Sequence, residues 1–171
     1  MAPPKDLTEK NLESWAAIEP GFDVGAYQVT ARISRIGLYI ARQQERVFGQ
    51  FGLNRADAGV LGALRVAEPS DRLSPTQLFK GLMLSSAGIT SRLDRLEERG
   101  LVRRTRHPND RRGVLVELTD EGRTILDQAV KANTAAEREL TAHLDAKEAE
   151  ALAELLKKMV AGLEAQRGEG A

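Results

Sequence analysis

The stretch that decides the fold is SPTQLFKGLMLSSAGITSRLDRLEERGLVRRTRHPNDRRGVLVELTDEG, residues 74–122. Ser74 followed by Pro75 is typical of a helix start, because serine caps the first N–H groups and proline fits the first turn. A second helix is expected to begin at Ser85 or Ser86. It ends at Gly100, since glycine readily takes the left-handed conformation that stops a helix. Two short consecutive helices are therefore predicted at this point of the chain.

The second of these helices has one inward and one outward side. Ile89, Leu93 and Leu96 are spaced by four and three residues, which is the spacing of a buried stripe. Successive residues turn by about 100°, so Thr90 and Ser91 lie on or near the opposite side. Small hydroxylated side chains let a helix approach base edges in a major groove and bond to them. An ordinary surface helix with poor helix formers at its start is the alternative interpretation.

A basic hairpin follows. Residues 101–106 and 113–118 have strand-like sequences, and residues 107–111 between them are rich in turn formers. Arg112 is expected to enter a minor groove, with Asp110 fixing its guanidinium group by a charge-assisted pair. Asp110 is otherwise simply a turn residue. Helix, helix and basic wing in this order predict a winged helix-turn-helix that binds double-stranded DNA.

The charge distribution supports DNA as the partner. The 171 residues carry 25 basic and 25 acidic side chains, so the formal net charge is zero. Residues 92–112 nevertheless hold eight arginines against four acids, whereas residues 120–171 hold eleven acids against seven bases. Phosphate binding requires a local positive patch rather than a positive whole. A solvated charged face is the alternative. The expected DNA contacts are Ser85, Ser86, Ala87, Thr90, Ser91, Arg92, Arg95, Asp110, Arg111 and Arg112.

Composition argues against several other classes. The chain contains no cysteine, which excludes disulfide scaffolds, thiolate metal sites and thiol redox sensors. With two histidines and no cysteine, an imidazole-built zinc site is not expected, so no metal and no cofactor are predicted. No motif of a nucleophile, a catalytic metal or a nucleotide loop is found, so we expect no enzyme and no catalytic residues. Neither a secretion signal nor a run of about 18 apolar residues occurs, which predicts a cytoplasmic protein without membrane contact.

The remaining segments predict a helical dimerisation lobe. Residues 1–21 form an N-terminal extension helix, and residues 22–52 one long helix of about 30 residues. Residues 53–119 form the DNA-binding lobe, with Asn54 capping its first helix and a minimal strand near Leu73. Residues 120–165 form two helices, and the apolar stripe of the second, capped by Asp145, is wider than a lone surface helix can keep.

Segments 22–52 and 120–165 are therefore expected to join their copies in a homodimer. Residues 166–171 are expected to be a disordered tail. The predicted fold class is mainly α with a small β-wing.

Two segments carry a family resemblance: LSSAGITSRLDRLEERGLVRR at residues 84–104 and PNDRRGVLVELTDEGR at residues 108–123. They resemble the MarR family of bacterial transcription regulators, and the helical layout extends the resemblance over residues 22–162. The resemblance implies a homodimer on a pseudo-palindromic operator, often a repressor, released by a small phenolic or anionic ligand. It places the family's wing-tip arginine at Arg112 and the acidic partner at Asp110.

The extension helix resembles that of the urate-responsive subgroup, in which a tryptophan, an arginine and an aspartate line the ligand pocket. Trp15 and Arg92 match two of these positions, whereas Gly59 stands at the aspartate position. Asp57 lies two residues earlier, and that offset turns a helical side chain by about 200°. Trp15, Asp57 and Arg92 are the candidate ligand residues, and urate itself is not predicted. Trp15 as an anchor for the added helix is the alternative.

Two hypotheses of function remain. The first is a homodimeric regulator whose recognition helices meet successive major grooves about 34–36 Å apart. A ligand lodged where the long helices join the DNA-binding lobe would change that separation. The second is a winged-helix protein-interaction module without ligand response, since a fold does not fix a function. The wing arginines favour the first.

Overall fold

The computed structural model describes residues 5–19, 21–67, 72–82, 86–108, 110 and 113–168. Helices predominate, as the sequence predicted. The elements in chain order are α1 (Leu7–Ile18), α2 (Val24–Gly49), α3 (Arg55–Arg65), β1 (Arg72–Leu73), α4 (Pro75–Leu82), α5 (Ser86–Glu98), β2 (Val102–Arg106), β3 (Val114–Leu118), α6 (Asp120–Thr141) and α7 (Ala146–Gly168). The chain divides into two compact units, Met1–Val130 and Lys131–Ala171.

Local capping chemistry sets the helix boundaries. Asn54 Oδ1 accepts a hydrogen bond from Asp57 N at 2.8 Å, and Asp57 Oδ2 accepts one from Asn54 N at 3.1 Å, a reciprocal capping box that starts α3. Asp145 Oδ1 accepts from Glu148 N at 2.9 Å at the start of α7. Gly100, just after α5, has a φ of 69°. The predicted caps Asn54 and Asp145 and the predicted glycine stop are confirmed.

The core of the first unit lies where α3, α4 and α5 meet the sheet. Ile89, Leu93 and Leu96 of α5 are at most 1% exposed, which confirms the predicted inward stripe. Burying three such side chains fixes the rotation of α5 about its own axis, since each contributes about 1.5–3 kcal/mol when buried. Other large, fully buried side chains of this core are Leu61, Leu64, Leu78, Leu101, Leu118, Leu126, Val60, Val102 and Val116.

The sheet is antiparallel with the order β1-β3-β2 and is held by a buried acid. Glu117 of β3 lies opposite Arg72 of β1 and Arg103 of β2 and forms ion pairs with both. Burial acts to raise the pKa of Glu117, but the two guanidinium groups more than offset it and hold the pKa below its usual value. One carboxylate thus joins all three strands, including the predicted minimal strand at Leu73.

Helix α6 begins in direct contact with the turn after α5. Thr119 Oγ1 donates to Gly100 O at 2.7 Å, and Thr119 N donates to Leu101 O at 3.2 Å. A Cβ atom added to Gly122 would lie 2.0 Å from Leu101 O, so the approach of the two backbones requires glycine. This contact links the wing strand β2 to the first turn of α6.

The second unit contains the end of α6 and all of α7. Helix α7 continues to Gly168, so residues 166–168 are helical rather than part of the disordered tail that was expected, and the residues after them lie outside the description. The sequence just before this point, with Leu163, Glu164 and Gln166, contains good helix formers and no proline, so nothing ends the helix earlier. The apolar stripe of α7 is largely exposed in the single chain, with Leu155 at 63%.

Candidate nucleic-acid interface

Helix α5 presents a polar outer face. Thr90 and Ser91 are exposed and line an open groove together with Asp94, Arg95 and Glu98. The face opposite the buried stripe is thus hydroxylated near its start, as the helical spacing predicted. Ser85 lies outside the described residues, and Ser86 and Ala87 are described only through the helix backbone. Their DNA contacts stay a prediction.

Arg92 is paired with two residues at the start of α3, and its expected DNA contact stays a prediction. Its Nη1 donates to Asp57 Oδ1 at 2.9 Å and to Asn54 Oδ1 at 3.0 Å, and its side chain is only 20% exposed. Its buried Nε has no hydrogen-bond partner among the described residues. The reason is geometric: Arg92 borders the buried stripe of α5, and a desolvated carboxylate on α3 attracts it.

Arg95 of α5 and Arg99, which directly follows α5, also contact the α2–α3 region. Arg95 Nη2 donates to Asp57 Oδ1 at 2.5 Å while the side chain stays 49% exposed. Arg99 Nη1 donates to the carbonyl oxygen of Gly52 at 2.7 Å. Arg95 therefore lies at the border between the exposed face of α5 and the start of α3.

The wing is fixed to α5 by Arg104 of β2. Its Nη1 donates to Glu97 Oε2 and its Nη2 to Asp94 Oδ1, each at 2.6 Å, and its backbone N donates to Glu97 Oε1 at 2.9 Å. Burial lowers the pKa of Arg104, but the two carboxylates raise it more, so the net shift is upward. Two acids of α5, the predicted recognition helix, thus hold the wing strand in one orientation.

These ion pairs reduce the positive potential that the arginine count indicates. Asp57 and Glu117 lie outside residues 92–112, yet Asp57 pairs with Arg92 and Arg95, and Glu117 pairs with Arg103. Arg106, by contrast, is exposed at the end of β2 that leads to the wing turn. Arg106 was counted in the basic patch but not among the expected contacts. Side chains alternate between the two faces of a strand, so Arg104 and Arg106 share one face of β2. That pattern could have added Arg106 to the expected contacts.

The turn of the wing is tight. His107 N donates to Gly113 O at 2.9 Å, and Gly113 N donates to Asp110 O at 3.0 Å. A Cβ atom on Gly113 would lie 2.8 Å from the Cβ atom of His107, so the turn has no room for a side chain there. Asp110 is exposed, whereas Arg111 and Arg112 lie outside the described residues. The predicted pairing of Asp110 with Arg112 stays a prediction.

The structure brings together two of the three candidate ligand residues, Asp57 and Arg92. Trp15 instead stacks on Phe22 with ring centroids 5.9 Å apart and an interplanar angle of 22°, and Phe22 meets Tyr27 edge to face at 4.9 Å. Trp15 thus connects the extension helix to the start of α2, which fits the alternative role of an anchor. Ligand binding by these residues stays a prediction.

A cleft of about 510 Å³ opens beside α2, α3 and α4, within the range typical of small-molecule sites. Arg55 Nε donates to Gln44 Oε1 at 2.9 Å, and both residues line the cleft together with Gly59. The complete lining is Gln44, Glu45, Phe48, Arg55, Ala56, Ala58, Gly59, Leu82 and Val130.

Within the described part of the chain, no group of three or more histidine, aspartate or glutamate side chains is arranged to hold a metal ion. No helix found there has the length and apolar character that crossing a bilayer requires.

A short helix, a second helix with an exposed hydroxylated face and a wing tied to it define a DNA-binding protein of the winged helix-turn-helix class. The chain belongs to the MarR family of transcription regulators. A sequence model of the MarR family matches residues 51–113. The chain is 34% identical over 129 residues to the HTH-type transcriptional regulator PecS of Dickeya dadantii. The aligned residues cover 75% of this chain and 78% of PecS.

Solved structures agree with this assignment. A mutant of MarR from Escherichia coli in complex with operator DNA matches with a TM-score of 0.69 and 30% identity, over 91% of this chain and 99% of that one. BpsR of Bordetella bronchiseptica matches with a TM-score of 0.68 and 27% identity, over 78% of this chain and 98% of that one. Its structure concerns the regulation of BpsR DNA binding by 6-hydroxynicotinic acid. The predicted family and fold class are confirmed, and the chain is a regulator rather than an enzyme.

Proposed function

We propose that this protein is a homodimeric repressor that binds a pseudo-palindromic operator and releases it when a small anionic ligand binds. The observation that carries the DNA-binding part is the outer face of α5, where Thr90 and Ser91 are exposed beside a wing strand pinned by Arg104. Small polar side chains on a fixed helix suit direct contact with base edges. The basic wing supplies contacts to phosphates or to a minor groove.

Dimerisation is supported by apolar side chains that the single chain leaves in water. Ile36 and Tyr39 of α2 are each 53% exposed, and Leu163 of α7 is 60% exposed. Several large apolar side chains exposed along one helix, as on α2 and on α7, typically mark an interface. A second copy is the natural partner, since a two-fold axis pairs the same surface from both subunits. The other large exposed apolar side chains on α1, α2 and α7 are Leu7, Trp15, Ile18, Val24, Val29, Ile33, Leu38, Leu152, Leu155, Leu156, Met159 and Val160.

Ligand response is supported by the cleft beside α2, α3 and α4. Its walls combine Phe48 and Leu82 with Arg55, a combination that suits a small aromatic acid. Because the cleft joins the long helix to the DNA-binding lobe, a ligand that prefers one arrangement of these elements would shift the distance between the two recognition helices. Repression follows if the bound dimer occupies a promoter.

Selection of random oligonucleotides by the purified protein tests the DNA-binding proposal. We expect an enriched inverted repeat with half-sites one helical turn apart, about 10–10.5 base pairs. Light scattering on the same sample should give twice the chain mass of 18.7 kDa. A monomer, or a pool with no enriched sequence, would refute the proposal.

The ligand part has its own test. 6-Hydroxynicotinate and salicylate serve as probes, and operator affinity is measured with and without each. We expect a probe to weaken operator binding by the unmodified protein. The same probe should have no effect on operator binding by an Arg55→Ala variant. A probe that weakens binding equally in both forms would contradict the assignment to this cleft.

A further inference from the structure

One buried carboxylate ties the recognition helix to the start of α3. Asp57 is 2% exposed, and its Oδ2 completes the capping box with Asn54. Its Oδ1 accepts hydrogen bonds from both Arg92 Nη1 and Arg95 Nη2. A desolvated carboxylate is stable only while it is well paired, since removal of its partners leaves an uncompensated buried charge. Asp57 therefore retains both arginines.

The two arginines border the face of α5 that carries Thr90 and Ser91. Arg92 and Arg95 lie three residues apart, so they project from neighbouring turns of the same side of the helix. Arg95 lines the groove with Ser91 on one side and the groove with Asn54 on the other. A guanidinium on a flexible side chain at this border could reach DNA phosphates if Asp57 did not hold it.

We propose that Asp57 is a positioning residue that restrains Arg92 and Arg95 from phosphate contacts and thereby limits sequence-independent DNA binding. The inference rests on the proposed binding of DNA through α5. Phosphate contacts carry no direct sequence information, yet each raises the affinity for any duplex. Specificity is a difference between two affinities, so a lower affinity for unrelated DNA raises the specificity. The restraint also holds the rotation of α5 that aims Ser91.

The test compares the unmodified protein with Asp57→Asn. The amide oxygen can still accept from Asn54 N, but the side chain no longer carries the charge that attracts two guanidinium groups. We expect the affinity for a scrambled duplex to rise and the ratio of operator to scrambled affinity to fall. The slope of log affinity against log salt should steepen by about 0.9 for one released arginine or about 1.8 for two.

A purely structural role gives a different result. If Asp57 only stabilised the lobe, Asp57→Asn would weaken binding to both duplexes and leave the salt slope unchanged or shallower, which would overturn the proposal. The double variant Asp57→Asn with Arg95→Gln removes one of the released arginines, so its slope should return by about 0.9 toward the unmodified value. A double variant as steep as Asp57→Asn would overturn the assignment to Arg95.

A matched control separates restraint from net charge. Asp127→Asn removes the same single charge from an exposed pair with Arg65, and its salt slope should stay unchanged. An equal steepening in both variants would overturn the proposal. Should Asp57→Asn fail to fold, the salt slope of the single variant Arg95→Gln tests the proposal. It should leave the slope unchanged, and a shallower slope would show that Arg95 already contacts phosphate.

These outcomes are distinct from a failure of the proposed function. If the unmodified protein prefers no operator, the proposed function is refuted. If it prefers an operator and Asp57→Asn leaves the slope and the specificity ratio unchanged, only the inference about Asp57 is refuted.

Discussion

Replacing Gly122 by alanine is expected to destabilise the first unit strongly, because the added Cβ atom would lie 2.0 Å from the carbonyl oxygen of Leu101. Carbon and oxygen atoms in close non-bonded contact normally stand about 3.3 Å apart, so the two backbones must separate by about 1.3 Å. Overpacking costs about 1–3 kcal/mol where side chains can adjust. Here the obstructing atom is backbone, so we expect a loss of about 3 kcal/mol, the top of that range.

The assay is urea unfolding followed by far-ultraviolet circular dichroism at one fixed protein concentration, since dimerisation would make the apparent stability depend on concentration. Gly62→Ala is the matched control, because a Cβ atom there meets nothing within 4 Å. In the interior of α3 that change should stabilise by up to about 1 kcal/mol, since alanine has the higher helix propensity. Equal stability of Gly122→Ala and Gly62→Ala would refute the close approach of α6 to the turn after α5.

Three other predictions concern the sheet, the wing and the recognition helix. Because Arg103 and Arg72 lower the pKa of Glu117, its carboxylate stabilises the folded state above the unfolded-state pKa of about 4.3, and this contribution disappears as the pH falls through the lower folded-state pKa. The difference in unfolding free energy between the unmodified protein and Glu117→Gln should therefore be largest near neutral pH and vanish in acid; a difference independent of pH would contradict the ion pairing. Arg112→Ala should weaken operator binding by about 1–3 kcal/mol in an anisotropy titration while light scattering still gives a dimer. Full affinity in that variant would exclude the wing from recognition. Ser91→Ala should change the selected operator sequence with little effect on the salt slope, whereas a uniform loss for all duplexes would argue against the proposed docking of α5.

The elements that sequence predicts well are those whose causes are local. Asn54 caps α3 through a contact three residues away, and Gly100 stops α5 through its own backbone freedom. The spacing of Ile89, Leu93 and Leu96 predicts which side of α5 faces the core, because helix geometry alone places these three side chains on one side. Each of these features depends on a short stretch of chain, so a single sequence is sufficient.

The pairing of Arg92 joins it to a distant residue and could not be predicted from helical spacing. Its partner Asp57 lies 35 residues earlier, on a helix whose orientation to α5 follows from the packed core. A count of charges within residues 92–112 likewise omitted Asp57 and Glu117. Both acids lie outside that segment but form ion pairs with arginines inside it. The hydroxylated face of α5 was predictable, whereas the distribution of charge around it was not.

The central claim is that two copies of this chain present their α5 helices to the same side of one duplex. The most direct measurement compares the affinity for the selected operator with that for the same operator carrying five extra base pairs at its centre. The insertion is about half a helical turn, so it moves one half-site to the opposite side of the duplex. We predict that specific binding falls to the level of scrambled DNA. Unchanged affinity for the lengthened operator would contradict a rigid dimer that reads both half-sites at once.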